Sequence, residues 1–215
     1  MTTADEDSDD GSYGSGPRFW DARYRRSSAP FDWLENYADV QGLIEEATKG
    51  DFSCRILHTG CGNSLMPEQM YDEGYRHIVN IDTSAVVIDQ MAARNQHRPE
   101  MSWLVMDAAN MDMKAGEFDV VLDKGCLDTF ACIGEDSKGM GVAYLREVAR
   151  VLKPGGILIC ISYGAPNSRL PFFEQSGEAF KVRQIQLAKR KNHVSSHYVY
   201  IASMAAGPSE GDDVH

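Results

Sequence analysis

The alternation of apolar and polar positions changes character along the chain. Residues 38–49 place Val40, Leu43, Ile44 and Ala47 on one face, the recurrence at three and four residues that an amphipathic helix needs. Before it, Phe19–Arg26 reads as a short helix with Trp20 and Tyr24 four apart on one side, and Ser27-Ser-Ala-Pro30 breaks it. From residue 52 onward, short apolar runs alternate with helical stretches. Strands are predicted at 55–59, 77–81, 102–106, 118–122 and 156–162, and helices at 65–73, 85–95 and 142–152, with Val87, Ile88 and Met91 facing inward in the second of these helices. Ala179–Leu187 and His197–Ser203 then read as a closing β-hairpin joined by residues 188–193. Serial βα units predict an α/β fold, a mostly parallel sheet with helices on both faces and an antiparallel C-terminal hairpin.

Charge and composition divide the 215 residues into three parts. Residues 1–16 are rich in Asp, Ser and Gly, with almost no apolar surface to offset the entropy of ordering them, so they predict a disordered acidic arm, and residues 207–215 a flexible tail. At 43% hydrophobic and 25% charged, the chain has the composition of one globular domain, placed at 17–206 with a helical cap over 17–50 and a core over 52–203. Eight of the 32 Asp and Glu lie in the two ends, which hold none of the 21 Lys and Arg; the net charge of −11 thus shrinks to −3 in the domain. Such a balance offers no general attraction to phosphate backbones, so no direct nucleic-acid binding is expected, and a basic protein partner is compatible with it. No run approaches the roughly 18 apolar residues of a membrane helix, and the first ten residues lack a secretory signal pattern, so a cytoplasmic, membrane-free protein is expected. The five cysteines are scattered, with no C-x-x-C pair and no His at zinc spacing, which predicts neither a disulfide framework nor a metal site.

The chemistry gathers at the ends of the predicted strands. Gly60-Cys61-Gly62-Asn63-Ser64 leaves the first core strand and enters a helix, where glycines let a ligand approach the backbone. Leu65 stands where a dinucleotide fingerprint needs its third glycine. The second strand ends in Ile81-Asp82-Thr83, 22 residues after Gly60, where a carboxylate can accept both hydroxyl protons of a ribose; Asp82 or Ser84 could equally cap the next helix. The third ends in Met106-Asp107-Ala108, an acid for an adenine amino group with apolar neighbours for the ring, and the fourth in Asp123-Lys124-Gly125. Open α/β sheets bind ligands at those carboxyl ends. Leu152-Lys-Pro-Gly-Gly156 reads as a helix end turning tightly into the last parallel strand.

With that series of motifs, residues 52–203 resemble the class I S-adenosylmethionine-dependent methyltransferases, whose Rossmann-like sheet has seven strands. Phe19-Trp-Asp-Ala-Arg-Tyr24, Phe31-Asp-Trp33-Leu, Gly60-Cys-Gly-Asn-Ser64 and Asp123-Lys-Gly-Cys-Leu-Asp128 further resemble the small lysine methyltransferases of translation elongation factor 1-alpha. The resemblance implies S-adenosylmethionine as cofactor, S-adenosylhomocysteine as product and a monomeric enzyme with the elongation factor as its basic protein substrate. It implies that Trp20, Tyr24 and Trp33 fold over the donor, that Gly60, Cys61, Gly62 and Asn63 cradle it, and that Asp82 with Thr83 holds the ribose. Met106, Asp107 and Ala108 would hold the adenine, with Asp123 and Lys124 completing the site.

Two positions depart from the general pattern. His58 stands where many class I enzymes have an acid near the donor ammonium, and Ser64 replaces a third glycine. Asp123 is the candidate to replace that acid, while Tyr37, Asp128 and Tyr163 are candidates for the substrate mouth, with no base singled out among them. A lysine of pKa about 10.4 is neutral in about one molecule in 2,500 at pH 7, so the site must lower that barrier of about 4.6 kcal/mol by desolvation or by the donor's positive charge. Two further readings stay open from sequence: methylation of a small molecule or another protein site, and a catalytically silent binding module.

Overall fold

The computed structural model describes residues 16–132, 137–188 and 196–205. The acidic arm up to Tyr13-Gly-Ser15, the basic stretch Lys189–His193 and the C-terminal tail lie outside the described residues. In chain order the elements are α1 (Pro17–Arg26), α2 (Tyr37–Thr48), β1 (Ile56–Thr59), α3 (Met66–Glu73), β2 (Ile78–Asp82), α4 (Ala85–Arg94) and β3 (Ser102–Val105). They continue with β4 (Phe118–Lys124), α5 (Cys126–Ala131), α6 (Ser137–Val151), β5 (Leu152–Ser162), α7 (Pro166–Ser176), β6 (Lys181–Gln186) and β7 (Tyr198–Ser203).

The strands form one sheet in the order β3-β2-β1-β4-β5-β7-β6. β1 through β5 run parallel, and β7 inserts antiparallel between β5 and β6. Strand order reverses between β1 and β4, which opens a crevice at their carboxyl ends. Alternation along each strand divides the core. Val120, Leu122, Ile159, Ile161 and Val199 pack against Val40 and Ile44 of α2 and Met66 and Met70 of α3. Leu57, Val121, Leu158, Cys160 and Tyr200 pack on the opposite side against α5, α6 and α7 through Leu127, Tyr144, Val148 and Phe172. A third cluster, Trp20, Tyr24, Cys61, Val87, Ile88 and Met91, fixes α1 onto α4 beside the glycine turn.

Two boundaries differ from the sequence pattern for packing reasons. α6 begins at Ser137, five residues before the predicted start, because Gly141 is a contact surface rather than a breaker: a Cβ there would stand 2.6 Å from the Phe172 ring of α7. β5 begins at Leu152, which pairs with Phe118 before the register shifts and Val120 pairs with Ile157. The Pro-Gly-Gly stretch is therefore an irregularity within the strand, where a Cβ on Gly156 would meet the Lys153 carbonyl oxygen at 2.9 Å.

Candidate functional site

A cavity of about 530 Å³ opens at the carboxyl ends of the central strands, under a roof made by α1 and the segment that follows it. Its floor is the turn after β1. Gly60 and Gly62 both have positive φ, 56° and 51°, a conformation that side chains strain against. Space demands glycine as well, since a Cβ on Gly62 would lie 2.7 Å from the Tyr24 hydroxyl. The Asp82 carboxylate at the end of β2 locks the turn, with Oδ2 accepting from the Gly62 N–H at 3.0 Å and Oδ1 from the Ser84 N–H at 2.9 Å. Ser84 is the residue that caps α4, accepting from the Val87 N–H, so Asp82 is left to the turn and the cavity. Burial raises the Asp82 carboxyl to about 6, against the lowering effect of those amides.

The roof is tied down at several points. Asp21 of α1 accepts from the Ser84 hydroxyl at 2.6 Å, and Gln90 of α4 donates to the Tyr24 carbonyl at 3.1 Å. Trp20 and Tyr24 stack at 6.1 Å. Beyond α1, Asn63 donates to the Ala29 carbonyl at 2.5 Å, Ser64 donates to Asp32, and the Arg23 guanidinium lies 4.8 Å from the Trp33 ring. Lys124, its side chain 3% exposed, pairs with Asp32 at 3.1 Å and donates to the Trp33 carbonyl at 3.1 Å. Burial pushes the Lys124 ammonium down, and Asp32 works against that.

Trp20, Tyr24, Trp33, Gly60, Cys61, Gly62, Asn63, Asp82, Thr83, Met106, Asp107, Ala108 and Lys124 all line this one cavity. Two other candidates do not. Tyr37 is the first residue of α2 and is buried in the core beneath the opposite sheet face, where desolvation raises its phenol. Asp123 is fully buried under the turn after β4: it accepts from the Cys126 N–H at 2.8 Å, the Leu127 N–H at 3.1 Å and the Tyr144 hydroxyl at 3.0 Å, so it anchors α5. Burial, reinforced by Asp128, raises its carboxyl to about 7. His58 is also off the wall. Its Nδ1 lies 3.2 Å from Asn80, and burial lowers it to about 4, so it is neutral at pH 7 and supplies no charge to a ligand.

Asp128 and Tyr163 do reach the wall, which Phe31, Phe130, Met140 and the exposed Cys132 also line. There the carboxylate of Asp128 meets Arg169 of α7, which the sequence pattern did not single out. The available signal was positional: Ser162-Tyr163-Gly164 ends a parallel strand as the other motifs do. Among the described residues no group of three or more His, Cys, Asp or Glu could hold a metal ion, and no helix is long and apolar enough to cross a membrane.

A family model for a methyltransferase domain matches residues 57–160. EEF1A lysine methyltransferase 4 of Mus musculus is 34% identical over 176 residues, covering 77% of this chain and 68% of that protein. The eEF1A lysine and N-terminal methyltransferase of Homo sapiens is 38% identical over 173 residues, 78% of this chain but 24% of that protein. The chain thus spans about a quarter of the longer relatives it matches. Among solved structures, the [4+2]-cyclase SpnF superposes with a TM-score of 0.69 at 16% identity over 91% of this chain and 97% of that one. The N-methyltransferase NodS from Bradyrhizobium japonicum, in complex with S-adenosyl-l-homocysteine, does so at 0.61 and 15% identity over 86% and 98%. These two likenesses concern the fold.

Proposed function

This chain belongs to the class I S-adenosylmethionine-dependent methyltransferases, and from that premise we propose that it methylates a lysine side chain of translation elongation factor 1-alpha. The observation that carries the donor half is the glycine turn that lines the cavity, locked onto Asp82 and so close beneath the Tyr24 hydroxyl that a Cβ at Gly62 would meet it at 2.7 Å. The acceptor half is supported by relatives at 34–38% identity whose names specify eEF1A lysine methylation.

In this reading Asp82 accepts from the ribose hydroxyls, Asp107 and Ala108 face the adenine, and Trp20 and Tyr24 close over the bound donor. The donor supplies an electrophilic methyl, which an amine lone pair takes while the electrons of the carbon–sulfur bond return to sulfur. The chain's own contribution is positioning and exclusion of water. Trp33, Phe31 and Phe130 dry the cavity wall, which favours the neutral form of an entering amine. We place the reaction in the cytoplasm on a monomeric enzyme, its domain near charge balance so that a basic substrate meets no repulsion.

Calorimetric titration with S-adenosylmethionine, followed by labelled-methyl transfer to eEF1A with its lysines intact or individually replaced by arginine, tests both halves. Binding with transfer to one lysine is expected. Binding without transfer would overturn the acceptor, and absence of binding would overturn the donor site.

A further inference from the structure

Arg169 holds Asp128 in an arrangement built for one purpose beyond ordinary packing. Oδ1 of Asp128 accepts from Arg169 Nε and Nη2, each at 2.9 Å, and from the Ser162 hydroxyl. Oδ2 accepts from the Tyr163 N–H at 2.8 Å and is the oxygen with accepting capacity left, on a residue that lines the cavity. Space for the guanidinium comes from Gly164. A Cβ there would stand 2.2 to 2.6 Å from three guanidinium atoms, and no positive φ calls for the glycine. The Tyr200 hydroxyl donates to the Gly164 carbonyl at 2.7 Å and fixes that crossing from β7. Arg169 is itself 9% exposed.

We propose that Asp128 Oδ2 is the hydrogen-bond acceptor that orients the incoming amine, and that Arg169 is a positioning residue that offsets the carboxylate's charge so the amine binds neutral. This rests on the amine-acceptor reading above. A carboxylate with no cation beside it stabilises a neighbouring ammonium and raises its pKa by about one to three units, which would hold the nucleophile protonated. Pairing with Arg169 removes that penalty while leaving Oδ2 able to accept an N–H, so the lone pair of the amine can face the methyl group.

The other titratable groups facing the pair are Asp123 from β4, Cys160 from β5 and Tyr200 from β7. Burial pushes the Cys160 thiol and the Tyr200 phenol well up, so both are uncharged at neutral pH. Asp123 titrates near 7, so the acceptor's own ionisation is read on the alkaline side, above pH 8.

The test compares two ligands of the donor site by calorimetry: S-adenosylhomocysteine, and sinefungin, which carries an amine in place of the transferred methyl. Their affinity ratio cancels any general damage to the donor site. In R169Q the uncompensated carboxylate prefers an ammonium, and the ratio is expected to move about tenfold towards sinefungin; in D128N it is expected to move at least about threefold the other way, with R169K between wild type and R169Q. On eEF1A, the midpoint of the rise of kcat with pH, which reports the amine in its bound state, is expected about one pH unit higher in R169Q. A ratio unchanged within twofold in both R169Q and D128N would overturn the proposal, as would an unmoved midpoint. Should R169Q fail to fold, the ratio in D128N and R169K decides. Should the wild type transfer nothing to eEF1A, the elongation-factor reading falls, and the ligand ratio still judges the Asp128–Arg169 pair.

Discussion

Asp82 is held near 6 because burial outweighs the two amides that favour its charge. A ribose diol donates to the ionised carboxylate, so below about pH 6 binding must first remove a proton. Affinity for S-adenosylhomocysteine is therefore expected to fall as pH drops from 7 to 5, and Asp82→Ala to weaken binding by about 10- to 100-fold at pH 7.5, as loss of charge-assisted bonds worth about 1.5–3 kcal/mol implies; calorimetry across pH checks both. Asp123 carries a different consequence. Its carboxyl titrates near 7 when folded and near 3.8 in the unfolded chain, so folding takes up a proton between those values and its contribution to stability falls as pH rises from about 4 to 7. Asp123→Asn removes that slope: urea unfolding should show the variant gaining on the wild type by a few kcal/mol over this window, at ~1.4 kcal/mol per pKa unit. The two acids also mark what single residues disclose. Asp82 was legible because it follows a glycine turn at a spacing that only a strand end satisfies. Asp123 was not, because strand alternation puts it on the face of Val121, under α5, while its neighbour Lys124 takes the cavity side.

At the level of elements, the site depends on a roof that has little sheet of its own to pack on. α1 meets α4, and the segment after it is fastened by Asp32, which pairs with the buried Lys124 and accepts from Ser64. Asp32→Ala leaves an ammonium of 3% side-chain exposure without its carboxylate; a loss of about 3 kcal/mol in global stability is expected from urea unfolding, as when one partner of a buried pair is removed. Gly62→Ala strains a positive φ and drives a methyl into the Tyr24 hydroxyl; about 1–2 kcal/mol of stability should go, with donor affinity falling more than in any exposed-surface variant. β1, β2, β4 and β5 were readable as short apolar runs because both their faces are buried, and α4 from periodicity because Val87, Ile88 and Met91 bury one face. α7 was not: Pro166 and Pro171 punctuate it and Leu170, Phe172 and Phe173 crowd together instead of recurring at helical spacing. With α7 unread, Arg169 stayed out of sight although its partner Asp128 and Tyr163 did not, whereas the glycine turn, Asp82 and Asp107 lay at strand ends that could be read.

For the molecule as a whole, ligand and stability are one equilibrium. At a free S-adenosylhomocysteine concentration 100 times Kd the folded state should gain about 2.7 kcal/mol, seen as a higher Tm, and amide exchange in residues 17–36 should slow most because that roof rests on the occupied floor. The sheet, by contrast, is already closed by α2 and α3 on one face and α5 to α7 on the other, so its central strands should change little. The cysteines follow the same division between interior and mouth. Cys54, Cys61, Cys126 and Cys160 are buried, with their thiols pushed up by desolvation, and Cys132 is exposed on the rim of the cavity. A maleimide dye added to the native protein at neutral pH would therefore attach at a single place. The natural sequence comes with its own address for a fluorophore, and both the speed of labelling and the colour of the attached dye become optical gauges of what fills the cavity.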